Sequence, residues 1–280
     1  MTERVADVQE SAEAATDRGT PRRDRSGLPR RLLLQIGTVA LLATLYQLAV
    51  IAQLLPASSF PPLPQILQAG VDLVISGESL TAIAGSLTGW FLGLLVAAVL
   101  AIPLGILTGS FDLIYRALIG IADFLRTVPG VALVAVAILI LGIGIETKIF
   151  LVVSAAFWPL WFQSMYGIRD LDSVIRDTAR AYGIPRGGFF FFIVLPSAAP
   201  FIATGLRISS SLALILAVVA ELVVGMPGLG SAINLARASG AVDAMYALVV
   251  MTGLLGWGLN ALFLSVERRL LAWHSSNRVA

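Results

Sequence analysis

Few residues in this chain could do covalent chemistry. There is one histidine, His274, and no cysteine, which leaves no thiolate nucleophile, no disulfide and too few ligands for a zinc centre. No serine sits in a recognisable nucleophile elbow. A phosphate-cradling Gly-x-x-x-x-Gly-Lys-Ser/Thr loop is missing: Gly142 to Lys148 lacks the glycine before the lysine, and no lysine follows Met226-Pro227-Gly228-Leu229-Gly230. The chain is therefore expected to be non-catalytic and to bind no cofactor or metal, so that energy for any work it does comes from a partner or an ion gradient. The polar residues that remain are of two kinds: isolated groups inside apolar runs, and one long charged stretch.

Ionisable or polar residues inside a membrane span are costly and invite functional readings. Glu221 is read either as lining an outer gate or translocation path, or as a carboxylate reaching water at the interface. Ser209, Ser210 and Ser211 point in different directions on a helix, so at least one faces the bundle, and Ser210 is carried as a candidate for the path. Asn260 and Gln163 are polar mid-span residues suited to helix–helix hydrogen bonding or to solute contact. Arg207 is read as a headgroup anchor or a contact to the charged stretch. Asp123 and Arg126, three apart, are expected to pair.

The elements that position these groups follow from composition. Of 280 residues 58% are hydrophobic and only 13% charged, with a mean hydropathy of +0.89. Too little charge remains to cover a water-soluble surface, whereas lipid needs none. The formal net charge of +2 and the pI near 9.3 come from Lys and Arg clustered at the ends of apolar runs. That places them at a membrane surface and argues against nucleic acid.

The polar residues 1–27 read as a disordered cytoplasmic tail. They do not form a cleaved signal peptide, because the apolar run that follows is too long and has no small-residue cleavage site. Residues 28–280 read as one membrane domain. At roughly 20 residues per span, the apolar runs are Leu32–Leu55, Leu80–Thr108, Phe111–Ile143 interrupted at Pro129-Gly130, Lys148–Gly167, Phe189–Val224 broken at Pro196 and Pro200, and Val242–Leu264. A short amphipathic segment, Gln65–Ile75, precedes the second. Gly85, Gly89 and Gly93, four apart, offer a face for close helix contact. Arginines concentrate before the first run, between the fourth and fifth, and after the sixth. By the positive-inside rule both termini and the fourth connection are cytoplasmic, which agrees with about six spans.

That fourth connection, about 169–188, is the charged stretch. Leu171, Val174, Ile175, Ala179 and Tyr182 recur at helical spacing, with Asp172, Arg176, Asp177 and Arg180 between them. This predicts an amphipathic helix outside the bilayer. Gly183 ends it, Ile184-Pro185-Arg186-Gly187-Gly188 turns, and the chain re-enters the membrane with a bend at Leu195-Pro196. Such a knob could be gripped by a soluble partner that moves the helices beyond it.

The segment Ala179-Arg180-Ala181-Tyr182-Gly183, nine residues, then Ile193-Val194-Leu195-Pro196 resembles the EAA loop of ABC importer permeases. Gly183, Ile193, Leu195 and Pro196 match that pattern, while Asp177-Thr178 stand where it has Glu-Ala and Ala179 takes the third position. Leu141 to Phe150, Gly205-Leu206-Arg207, Val219-Ala220-Glu221-Leu222, Gly228-Leu229-Gly230 and Glu267 to Trp273 are similar to the nitrate/sulfonate/taurine branch. Arg126-Thr127-Val128-Pro129 has one proline fewer than that branch's corresponding segment. The resemblance implies an all-α type I importer permease in a bacterial inner membrane. It implies a homodimer, a cytoplasmic ATPase docked on the loop around Gly183, Ile184 and Pro185, and an extracytoplasmic binding protein. A sulfonate is the solute it favours, with nitrate, a thiamine-precursor pyrimidine or riboflavin as alternatives. An ion-coupled secondary transporter would need internal repeats and midplane acids, and neither is evident.

Overall fold

The computed structural model describes residues 27–56 and 58–271, with side chains from residue 33. Most of the tail expected over residues 1–27, and Trp273 and His274, lie outside these residues. Every regular element among them is helical. The chain divides into two compact units that meet between Leu63 and Pro64.

In the first unit, helix α1 (Gly27–Ile51) is apolar around its circumference, as a spanning helix must be. The Pro-rich stretch beyond it is tied back: Tyr46 donates its hydroxyl to the Pro61 carbonyl, and Leu63 N–H donates to Gln47 Oε1, each at 2.8 Å.

The second unit opens with α2 (Leu63–Ile75), the expected amphipathic segment. Helix α3 (Glu78–Ser110) follows, with Pro103 inside it. The next span is broken, as Pro129-Gly130 predicts. Helices α4 (Asp112–Leu125) and α5 (Leu133–Leu141) are joined through a 3₁₀ turn, Gly130–Ala132, and bent by 74°. Proline lacks the N–H that would continue α4 and disfavours helix at the residue before it. Helix α6 (Ile145–Arg169) spans next. Counting the bent pair as one, the described residues contain six candidate spans.

After a short helix α7 (Ser173–Ala181), helix α8 runs from Arg186 to Val224, 39 residues without interruption. The breaks expected at Pro196 and Pro200 do not occur. The ladder instead widens to a π-turn at Phe190–Val194, and Pro196 follows it in the first turn of the α-helical part. At 1.5 Å per residue α8 is about 58 Å long, against a hydrocarbon core of about 30 Å. Helix α9 (Leu229–Ala238) was not anticipated, although Gly225, Pro227 and Gly228 announce a turn and Leu229, Ile233 and Ala236 recur on one buried face. Helix α10 (Val242–Leu270) closes the bundle.

The core lies where α3, α6 and α8 cross. The expected glycine face on α3 is longer than Gly85, Gly89 and Gly93. It continues at the same spacing through the fully buried Ala97 and Ala101 to Gly105 and Gly109. A Cβ on Gly105 would come within 2.6 Å of Ser164 Cβ, and one on Gly109 within 2.7 Å of the Met165 carbonyl. The stripe therefore sets how closely α3 and α6 approach.

Candidate functional site

Helix α7 is built by its own caps. Asp172 accepts a hydrogen bond from Val174 N–H at 2.9 Å, satisfying a first-turn donor. At the other end Gly183 has φ +68°, its N–H donates to Arg180 O, and Ile184 N–H donates to Ala179 O, both at 3.0 Å. This is a Schellman turn, and the left-handed residue it needs is the glycine. Ala179 faces inward, 5% exposed, while Val174 and Tyr182 stand out at 66% and 82%. Asp177 and Arg180 pair on the surface at 3.2 Å. Ala181, Ile184 and Pro185 are exposed.

Four residues, Tyr182 to Pro185, separate α7 from α8. The Schellman turn passes through Pro185 straight into Arg186, the first residue of the 39-residue helix. Ile193 lies in the π-turn, and Leu195 and Pro196 directly follow it. Ile168 of α6 packs with Val194 and Ala198, supported by Leu171 and Phe189. Behind α7 is a cavity of about 830 Å³ edged by Arg169, Arg176, Arg180 and Arg186. Arg169 also pairs with Asp112 at 2.9 Å and lies 4.0 Å from the centre of the Tyr115 ring. A polar helix with exposed apolar side chains, joined by a short hydrogen-bonded turn to a spanning helix, can transmit a push from a docked partner.

The three path candidates are not brought together. Ser210 is buried, and its carbonyl accepts the Trp90 indole N–H at 2.9 Å. Asn260 is exposed on α10. Glu221 stands eleven residues beyond Ser210 on α8, about 16 Å along the axis. It does not reach water but is fully buried. Its Oε1 accepts from Lys148 Nζ at 2.9 Å, and its Oε2 accepts from Ser86 Oγ at 2.7 Å and Gly230 N–H at 3.0 Å. Lys148 also donates to Pro227 O at 2.7 Å and to Gly85 O at 3.3 Å, and Ser86 Oγ accepts from Leu229 N–H.

This network joins the ends of α3, α6, α8 and α9 away from α7. Glycines make room for it. A Cβ at Gly89 would meet the Lys148 stem, and one at Gly228, where φ is +155°, would meet the Glu221 carboxylate. Sequence reading placed Lys148 at the start of a span, facing a connection. One signal could have corrected that: it is the only lysine in the chain.

Arg207 ion-pairs at 3.7 Å with Glu267 of α10, which fixes it within the bundle. The pair expected between Asp123 and Arg126 forms at 3.1 Å. Arg126 also lies 4.9 Å from the Phe162 ring centre. It edges a cavity of about 490 Å³ at the break in the third span, shared with Gly130, Ser154, Trp158, Pro159 and Gln163. Gln163 has no hydrogen-bond partner among the described residues.

Residues 101–272 match the family described as binding-protein-dependent transport system inner membrane component. The taurine transport system permease protein TauC of Escherichia coli is 31% identical over 88% of this chain and 92% of its own length. The nitrate import permease protein NrtB of Leptolyngbya laminosa is 32% identical over 74% of this chain and 77% of its own. Among solved structures, an inward-facing form of the MetNI methionine ABC transporter superposes with a TM-score of 0.60 at 18% identity, over 68% of this chain and 94% of that one.

Proposed function

The chain belongs to the inner-membrane permeases of binding-protein-dependent ABC importers, and from that premise we propose that it carries a small oxyanion, a sulfonate such as taurine, into the cell. Permeases of this family are non-catalytic membrane subunits whose ATPase is a separate chain. For this chain we assign the docking of that ATPase to α7 and the Schellman turn at Gly183. Cofactors are then absent from the permease itself, and ATP is spent by the partner.

The single observation that carries this reading is the close succession, across a four-residue turn, of an exposed, apolar-tipped α7 and a 39-residue spanning helix. ATP-driven closure of a pair of ATPases would pull on Val174 and Tyr182. With only the hydrogen-bonded turn between, the pull passes to α8. The arginines at 169, 176, 180 and 186 support a cytoplasmic side for α7, which puts the Lys148–Glu221 network and α9 on the outer side, where a solute-binding protein delivers. Two copies of the chain would complete the path.

Nitrate is a second reading, favoured by the relative at 32% identity. The test is growth of a strain lacking the gene on taurine as sole sulfur source and on nitrate as sole nitrogen source. A growth defect on taurine, cured by restoring the gene, is expected. A defect on nitrate alone would move the assignment to nitrate. Normal growth on both, with no second importer for either in the strain, would overturn the oxyanion reading.

A further inference from the structure

Two spans lose their helical hydrogen bonding at the same place. Pro129-Gly130 breaks the third span, and Pro159, within α6, removes the N–H that would otherwise bond the Ala155 carbonyl. Gly130, Ala155 and Pro159 all line the cavity of about 490 Å³. Irregular backbone at membrane depth persists where protein encloses it or water fills the space beside it. A pocket built from discontinuous helices is also a recurring way to place polar groups mid-membrane. From Ser154 to Gln163 the cavity covers the middle of α6, about 14 Å from one end and about 9 Å from the other.

Several side chains around the cavity carry hydrogen-bond donors with no acceptor among the described residues. Arg126 is the charged residue among those lining it. Asp123 approaches Arg126 at Nε, 3.1 Å away, and the terminal nitrogens of the guanidinium make no hydrogen bond among the described residues, which leaves them for a ligand. The Phe162 ring supports the guanidinium. The Gln163 amide, the Trp158 indole N–H and the Tyr166 hydroxyl have no hydrogen-bond partner among the described residues. Gln163, in the interior of a spanning helix, therefore does not serve the helix–helix bond its position suggests.

We propose that this cavity is the solute-binding station of the translocation path, and that Arg126 and Gln163 hold a small oxyanion there by its oxygens. The inference rests on the importer reading and names the residues that reading leaves open. A planar guanidinium presents paired N–H groups that match two oxygens of a sulfonate or nitrate. The volume suits a solute of a few heavy atoms with its water. Neither Glu221 nor Ser210 can take this part, because both are buried in contacts of their own.

The test uses the assembled transporter in proteoliposomes. Arg126→Lys, Arg126→Gln and Gln163→Leu are expected to lower the solute imported per ATP hydrolysed about tenfold or more, the loss of one hydrogen bond to a charged group. ATPase co-purification and the amount of inserted chain should stay unchanged. Unchanged import per ATP, or a loss that only follows a reduced amount of complex, would assign these residues to structure and overturn the proposal.

A second measurement stands independently of which solute is carried. Because the chain has no cysteine, Gln163→Cys introduces its only thiol. A methanethiosulfonate reagent bearing a sulfonate should label it several-fold faster than one bearing a trimethylammonium. That preference should vanish when Arg126→Gln is added. Equal rates with the two reagents would overturn the cavity's anion selectivity even if uptake is confirmed. The expected preference in a chain that transports neither taurine nor nitrate would retain the cavity and refute only the named solutes.

Discussion

Removing one partner of the Lys148–Glu221 pair should be among the most damaging single changes in the protein. The pair is enclosed, with side chains 3% and 0% exposed. Lys148→Met leaves the Glu221 carboxylate buried without its cation, and Glu221→Leu leaves the ammonium with two carbonyls and no counter-charge. Stranding a buried charge costs about 3–5 kcal/mol, which for a chain of this size lowers the melting temperature by about 6–20 °C. The double substitution strands no charge. It leaves only the neutral groups that the two single variants also leave, namely Gly85 O, Pro227 O, Gly230 N–H and the Ser86 O–H. The double variant should therefore be more stable than the sum of the singles by about 3 kcal/mol or more. Exchanging the charges should not rescue. Carbonyls surround the lysine while Ser86 O–H and Gly230 N–H surround the glutamate, so a swapped pair meets the wrong dipoles. The assay is the temperature at which the detergent-solubilised chain loses its monodisperse gel-filtration peak. Additivity of the two single changes within about 0.5 kcal/mol, or full stability of the swapped pair, would refute the reasoning.

Further outcomes are expected elsewhere. Gly183→Ala should cost about 1 kcal/mol through its left-handed backbone alone, since a Cβ there meets nothing within 4 Å. Gly183→Asn should cost less and Gly183→Val more, read as the ratio of solute imported to ATP hydrolysed. Tyr182→Asp and Val174→Asp alter exposed side chains, so the chain should insert normally yet lose co-purification of its ATPase by about thirtyfold, as for an interface hot spot. Gly105→Leu should drive α3 off α6, where a Cβ already meets Ser164 at 2.6 Å and the Trp161 carbonyl at 2.7 Å. It should cost about 3 kcal/mol or more in thermal stability, whereas Gly120→Ala, with open space around it, should be neutral.

What could be read from the sequence depended on the range of the signal. Helix α7 and its stop at Gly183 were legible because spacing and a left-handed glycine are local. The break at Pro129-Gly130 was legible for the same reason. Local rules misled at Pro196, which follows the π-turn at Phe190–Val194, and at Pro200, which sits inside the helix without ending it. The Lys148–Glu221 pair joins residues 73 apart, and no local pattern announces a partner at that range. The cavity was hidden for a different reason. In lipid the membrane-facing and bundle-facing sides of a helix are both apolar, so hydropathy shows that Gln163 lies within a span but not which way it faces. Helix α9 was missed because a ten-residue helix is too short to span and lies in the connection between two much longer apolar runs.

The central claim is that this chain is a permease moved by a separate ATPase through α7, and the most direct measurement is solute entry into proteoliposomes. Vesicles carrying this chain, its ATPase and ATP, with the binding protein outside, should accumulate taurine or nitrate. Accumulation should stop when the ATPase or ATP is withheld, and when Gly183→Val breaks the turn between α7 and α8. Uptake by this chain alone, driven by a proton or sodium gradient and indifferent to ATP, would contradict the account.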